Sequence, residues 1–277
     1  MTIHYNTAIV VNNEKITEDI HKLTLVSKVK LNPYPGQFIM IDTIKNHNNY
    51  NHLGPILKRP FSFYRLLDDS TFEIMFRVKG DGTILLSEVE VNDELKFLGP
   101  LGKPIDIYGI CGPDGSQTIS LVGGGIGIVP LMFLAQGMNF MKYRRINVYL
   151  GFHTNDEFTK MCLRDFCRYT HFSNVVWAMD TERGNSYLKG TVVDLYKDLN
   201  TPTTNDDDIW VDGPIFVCGP EPMMEYFHNL TKDTKYPCYC FVERRMACGI
   251  GVCHSCNING KTVCKDGPCL ESKYIFE

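Results

Sequence analysis

The sequence predicts a multi-domain chain of the β plus α/β class. It reads as an antiparallel β-barrel, a parallel-sheet domain and a small cysteine-rich C-terminal domain. Three observations carry that prediction. Short β-like runs separated by turn residues fill the first hundred or so positions, strands and helices alternate from about Ser120, and four of the eleven cysteines crowd between Cys248 and Cys264.

The β-rich part comes first. Phe72, Ile74, Phe76 and Val78 alternate with Glu73, Met75, Arg77 and Lys79, the two-residue period of a half-buried strand. Further runs at Ala8–Val11, Leu23–Val26, Phe38–Ile41 and Leu95–Leu98 are separated by Pro, Gly and Asn/Asp turns, the pattern of a barrel or sandwich. The Asn- and His-rich stretch 45–52 reads as a loop.

From Ile119 the period changes. Ile119–Val122 reads as a short apolar strand, followed by a glycine cluster and a helical stretch through Met138. More strands are expected at Ile146–Leu150, Val175–Ala178 and Ile215–Cys218, with helices between them, which implies a parallel sheet. The tail after Tyr236-Pro237 is too short for a large core of its own and needs a metal staple. The predicted boundaries are 1–108, 109–232 and 233–277.

Composition narrows the function classes. A net charge of -4 without long blocks of like charge gives no nucleic-acid footprint, and Asp206-Asp207-Asp208 reads as a solvated loop. No secretory signal opens the chain, so a reducing cytoplasm is expected and the eleven cysteines point to metal or redox chemistry. Residues 117–141 carry no charge, yet Gly123, Gly124, Gly125, Gly127 and Pro130 interrupt them, so a strand–turn–helix is expected there and no membrane span.

Cys248, Cys253, Cys256 and Cys264 read C-x4-C-x2-C-x7-C, whose first three members match the plant-type [2Fe-2S] spacing. Asn259-Gly260 signals a hairpin that pairs Ile258 with Lys261 and brings Cys264 beside Cys256. Cys269 is the alternative fourth ligand, and a structural zinc site is the competing assignment, although zinc sites usually draw on two close pairs. His254 reads as a loop residue. Cys111, Cys162, Cys167, Cys218, Cys238, Cys240 and Cys269 read as buried or surface thiols.

Gly123-Gly124-Gly125-Ile126-Gly127 joins a strand to a helix, the setting in which backbone N–H groups take a dinucleotide's phosphates. Cys218-Gly219-Pro220 supplies a second such turn at the end of a later strand. Upstream, Arg59-Pro60-Phe61-Ser62 offers a guanidinium fork and a hydroxyl, and Gly80-Asp81-Gly82-Thr83 opens a short helix that Thr83 is placed to cap. A structural turn and an ordinary strand with a surface Arg are the plainer readings of these motifs taken singly.

Taken together and in order, these motifs resemble the ferredoxin-reductase superfamily, and most closely the electron-transfer subunits of class B dihydroorotate dehydrogenases. Pro35-Gly36-Gln37-Phe38, Arg59-Pro60-Phe61-Ser62, Met75-Phe76-Arg77, Gly82-Thr83 and Gly99-Pro100-Leu101-Gly102 look like its flavin barrel. Gly123 to Pro130 and Cys218-Gly219-Pro220 look like its nicotinamide domain, and Met246 to Cys256 closing on Cys264 looks like its cluster domain. The resemblance implies FAD in the barrel, with Arg59 near the pyrophosphate and Ser62 near the isoalloxazine. It also implies NAD on the second domain and a [2Fe-2S] cluster on the third. An FMN-containing catalytic subunit, in a heterotetramer, is the implied partner. Electrons from dihydroorotate would then reach NAD⁺ in pyrimidine biosynthesis, with no catalytic residue for dihydroorotate on this chain.

The small subunits of ferredoxin- or sulfide-linked NAD(P)H oxidoreductases share the architecture but carry Asp where this chain has Cys248. A zinc-stapled, non-redox binding module is the third reading. Gly151 to Glu157, with acids and no Arg, favours NAD over NADP.

Overall fold

Among the described residues, the strand signals of the sequence become two seven-stranded sheets and one small hairpin. The computed structural model describes residues 4–43, 57–112, 118–140, 146–154, 157, 160–161, 174–180, 188–201 and 211–277. The loop 45–52, the Asp206–Asp208 tract, Asn155, Asp156, Cys162 and Cys167 lie outside the described residues.

In chain order the elements are β1 (His4–Lys15), β2 (Ile20–Ser27), β3 (Phe38–Ile41), β4 (Arg59–Ser62), β5 (Arg65–Leu66), β6 (Thr71–Arg77), α1 (Asp81–Ser87) and β7 (Glu94–Leu101). There follow α2 (Ile107–Cys111), β8 (Ile119–Gly124), a 3-10 turn (Gly125–Gly127), α3 (Ile128–Phe140), β9 (Ile146–Phe152), β10 (Asn174–Met179) and β11 (Leu188–Lys189). The remainder comprises α4 (Val192–Asn200), β12 (Ile215–Cys218), α5 (Glu221–Thr231), β13 (Cys238–Phe241), β14 (Asn257–Ile258), β15 (Lys261–Thr262), α6 (Val263–Asp266), β16 (Cys269–Glu271) and α7 (Lys273–Phe276). The chain divides into two compact units, one of residues 1–104 and 243–268, the other of 105–242 and 269–277.

In the first unit the sheet runs β4-β3-β7-β1-β2-β6-β5, every pairing antiparallel. Phe72 on β6 and Phe97 on β7 lie three strands apart in that order, yet their ring centroids are 5.9 Å apart, and Phe61 on β4 meets Phe76 on β6 at 5.5 Å. Such contacts require the sheet to curl around its own apolar face, as in a half-closed barrel. Register shifts between Val10 and Asn12 and between Phe38 and Met40 supply local bends.

β6 departs from the half-buried reading, because Glu73 and Met75 are buried as well as Phe72, Ile74 and Phe76. Glu73 tolerates burial because Arg65 clasps it through Nε and through Nη2 at 3.3 Å, while Thr24 Oγ1 donates at 3.2 Å. A buried carboxylate holds its charge only when so partnered. Thr83 does cap α1, from inside its first turn. It is the third residue of α1, and its hydroxyl accepts the N–H groups of Lys79 and Gly80 at 2.9 and 3.1 Å. Gly80 stands at the helix boundary itself.

In the second unit the sheet order is β11-β10-β9-β8-β12-β13-β16, parallel except for the β13–β16 pair. α3 is the helix that follows the glycine cluster; it has 13 residues, and among the described residues no helix is long and apolar enough to cross a membrane. From β8 the chain builds outward through β9 to β11, then returns to place β12 on the other side of β8. β8 and β12 therefore flank the reversal of strand order, the place where open α/β sheets form a ligand crevice.

The two glycine turns meet at that reversal. Gly123 pairs in register with Cys218, and a Cβ on Gly127 would stand 2.3 Å from the Cys218 carbonyl oxygen. Gly127→Ala is expected to lower stability by about 1–3 kcal/mol, the usual cost of forcing extra volume into a packed site. Chemical denaturation checks this, and an unchanged midpoint would contradict the packing.

Candidate functional site

The C-terminal loop is built on strained or tight backbone that its sequence permits. Gly249 and Gly251 have φ of 71° and 81°, and Asn259-Gly260 turns the β14–β15 hairpin with φ of 44° and 81°. Ile258 pairs with Lys261, as the Asn-Gly signal predicts. The hairpin returns the chain so that α6 follows at once, and the Cys264 N–H donates to Cys256 Sγ at 3.4 Å.

The four thiols thereby form two neighbouring pairs. Cys253 N–H and Ile250 N–H each donate to Cys248 Sγ at 3.5 Å, and Gly251 N–H donates to Cys264 Sγ at 3.1 Å. Cys256 and Cys264 are buried, whereas Cys253 is exposed. The Cys253 thiol is lowered to about 6, chiefly by the Ser255 hydroxyl and backbone and then by Cys248. Burial, and then the neighbouring Cys256, push Cys264 up to about 12.

Among the described residues no three His, Cys, Asp or Glu side chains form a group suited to a metal ion. Two pairs linked by N–H···S contacts suit two metal atoms, each taking one pair, better than a single tetrahedral ion. The donor set is all sulfur. His254, at φ 55°, places Nδ1 3.3 Å from Thr262 Oγ1. Cys269 stands elsewhere, on β16 paired with Phe241, where burial and then Cys240 and Cys218 raise its thiol. Burial likewise raises Cys111, and a contact with Cys240 followed by burial raises Cys238.

The cysteine loop rests on the antiparallel sheet. A Cβ on Gly249 would fall 2.2 Å from Met40 Sδ on β3 and 3.1 Å from Leu101 Cδ1 on β7. Lys103 N–H donates to the Gly267 carbonyl at 2.7 Å, which ties the end of the loop to the chain just after β7. Met40 did not stand out in the sequence, and Leu101 and Ser255 stood there only as members of longer motifs. Only the pairing of β3 with β7 and the fold of the loop bring them here.

On the same unit, Arg59 and Gly82 come together: a Cβ on Gly82 would lie 3.1 Å from Arg59 Nε. Arg59 Nη1 donates to the Leu57 carbonyl at 2.7 Å. Pro60, Phe61 and Ser62 continue β4, and Phe61 meets Phe76 on β6, beside Met75 and Arg77. The motifs that were separate in sequence therefore share one end of the curled sheet with Gly82 and Thr83 of α1. Arg77 Nε lies 3.3 Å from Asp19 Oδ2, which engages it within the protein.

In the second unit the glycine cluster divides by task. Gly123 packs against Leu131, Ile128 and Leu150, and Gly124 against Pro220 and Met223. Gly127 and Gly219 leave no room for a side chain beside Cys218 and Met223 respectively. Gly125 differs: its φ is 52° and nothing lies within 4 Å of the point a Cβ would occupy, so its face is open. Two acidic groups stand at the same strand ends. His153 Nδ1 lies 2.8 Å from Asp180 Oδ1, and Glu157 Oε2 accepts the His153 N–H at 3.0 Å. Asp180 was not singled out in the sequence because it becomes a neighbour of His153 only through the parallel β9–β10 pairing.

The chain is similar to known proteins. Residues 243–275 match the model of the iron-sulfur cluster binding domain of dihydroorotate dehydrogenase B. The chain is 30% identical over 275 residues to the dihydroorotate dehydrogenase B (NAD(+)) electron transfer subunit of Caldanaerobacter subterraneus subsp. tengcongensis, covering 96% of each. It is 31% identical over 265 residues to the protein of the same name from Fusobacterium nucleatum subsp. nucleatum, covering 92% of each. The fold is similar to that of an NADH-dependent reduced ferredoxin-NADP oxidoreductase, with a TM-score of 0.76, 23% identity and coverage of 97% of this chain and 89% of that one. It is also similar to the ferredoxin reductase of carbazole 1,9a-dioxygenase, with a TM-score of 0.65, 18% identity and coverage of 86% and 68%.

Because Gly249 combines a left-handed φ with the Met40 contact, Gly249→Ala should cost about 1–2 kcal/mol locally. The expected readout is a lower metal content per purified chain than in the parent protein. Full metal retention would show that the loop tolerates a side chain there.

Proposed function

The chain belongs to the family of dihydroorotate dehydrogenase B electron-transfer subunits, and from that membership we propose that it relays electrons from dihydroorotate, oxidised on a partner subunit, through a [2Fe-2S] cluster and FAD to NAD⁺ in pyrimidine biosynthesis. The observation that carries this reading is the all-sulfur loop, with Cys248 near Cys253 and Cys256 near Cys264, resting on the sheet that bears Arg59-Pro60-Phe61-Ser62. When bound, a flavin exchanges the electron pair of hydride chemistry for the single electrons an iron–sulfur centre handles.

The residues present fit each group. Cys248, Cys253, Cys256 and Cys264 would hold the cluster, and backbone N–H groups are aimed at the sulfurs of Cys248, Cys256 and Cys264. Arg59 would take the FAD pyrophosphate as a charge-assisted donor, with Ser62, Met75, Phe76, Arg77, Gly82 and Thr83 completing that site. Gly125, with Gly123, Gly124 and Gly127 shaping the turn and Cys218, Gly219 and Pro220 opposite, would receive NAD at the β8–β12 reversal. Asp180 and Glu157, beside His153 at the ends of β10 and β9, would disfavour a 2′-phosphate there, which supports NAD over NADP.

The chain carries no proposed catalytic residue for dihydroorotate. That chemistry belongs to the catalytic partner, which we take to bear FMN and to form a heterotetramer with this chain. Cysteines that are all free among the described residues suit a reducing cytoplasm.

Co-purification and dihydroorotate-dependent NAD⁺ reduction test the partner. Recovery of a ferredoxin- or glutamate-linked subunit, without turnover of dihydroorotate, would overturn it, and a colourless chain with stoichiometric zinc would overturn the redox reading. Cys264→Ser is expected to cut coupled activity by more than about 100-fold, beyond the range of outer-shell changes. Cys269→Ser should leave iron content and activity at the parent level; the reverse pattern would make Cys269 the ligand. Arg59→Ala is expected to weaken FAD binding by about 10- to 100-fold, the loss of a hydrogen bond to a charged group worth about 1.5–3 kcal/mol. Flavin titration of the stripped protein checks it.

A further inference from the structure

Ser255 lies between two of the thiols in sequence and touches one of them. Its Oγ is 3.2 Å from Cys253 Sγ and 3.3 Å from the backbone nitrogen of Ala247. Proton bookkeeping sets the direction of both contacts. The Ala247 N–H can only donate, so it occupies a lone pair of the hydroxyl and leaves the single hydroxyl proton for the sulfur. A ligating cysteine is a thiolate with no proton to offer, so Cys253 Sγ accepts. One hydroxyl thus joins the residue before Cys248 to the residue before Cys256 while donating to Cys253.

We propose that Ser255 is a positioning residue that donates its hydroxyl proton to Cys253 Sγ and thereby raises the reduction potential of the [2Fe-2S] cluster. The inference rests on the cluster reading given above. Reduction adds negative charge that the sulfurs share, and a donated hydrogen bond stabilises the more negative state more strongly. Other contacts to these sulfurs come from the backbone nitrogens of Ile250, Gly251, Cys253 and Cys264 and from the Ser255 backbone, and side-chain replacement leaves them in place. The Ser255 contact comes from a side chain and sits on the exposed ligand, where water competes and limits its size.

The test is an EPR-monitored redox titration of the full chain carrying its cofactors, purified with its catalytic subunit. Ser255→Ala is expected to shift the cluster's reduction equilibrium toward the oxidised form by about tenfold, equal to about 59 mV for a one-electron couple. Ser255→Thr, which keeps a hydroxyl, should hold the parent potential, and the flavin potential should stay put in both. A fully loaded Ser255→Ala protein with the parent cluster potential would overturn the inference. Should that variant fail to keep its cluster, electron–nuclear double resonance of the parent and of Ser255→Thr decides. A proton coupling that disappears in deuterium oxide supports the hydroxyl donor, and its absence overturns it. A parent chain with no [2Fe-2S] signal defeats the cluster reading itself, and the inference with it.

Discussion

The antiparallel pairing of β13 with β16 is the constraint on which the cysteine loop depends. Phe241 pairs with Cys269, Cys240 with Leu270 and Tyr239 with Glu271, so the two ends of segment 243–268 are held side by side by main-chain hydrogen bonds. The segment has too few residues to bury a core of its own, and the entropy of closing a long excursion would otherwise oppose its fold. With the ends fixed, the remaining order comes from a two-strand hairpin and from glycine backbone that lies against Met40 and Leu101.

Most of the architecture was legible because it is periodic or punctuated. The runs at Phe38–Ile41, Leu95–Leu98, Ile119–Val122, Ile146–Leu150 and Ile215–Cys218 all fall inside observed strands. The Asn259-Gly260 turn was legible for a different reason, since positive φ at two successive residues admits few sequences. What stayed hidden depends on tertiary neighbours. The burial of Glu73 follows from Arg65 and Thr24, and no period in the sequence announces a partner eight residues away on β5 or forty-nine away on β2. Asp180 beside His153 is invisible for the same reason.

The glycine cluster serves packing as well as any ligand. Five residues from Gly123 to Gly127 look like a single phosphate loop, but the side chains and backbone around them demand small residues for three separate packing reasons. Gly123 admits Leu131 and Ile128, Gly124 admits Pro220 and Met223, and Gly127 admits the carbonyl of Cys218. The close approach of the two turns at the strand-order reversal needs these contacts before any ligand is considered. Only Gly125 combines an open face with a backbone that other residues rarely adopt.

The exposure of one sulfur has a chemical consequence. Cys253 stands at the surface next to Val252, which is 72% exposed. A solvent-facing thiolate is the form that peroxide attacks, passing through sulfenic acid to states that cellular thiols do not reverse. Buried neighbours such as Cys256 and Cys264 are shielded from that route. Among the described cysteines, Cys253 is therefore the sulfur most open to an oxidant whenever no metal holds it.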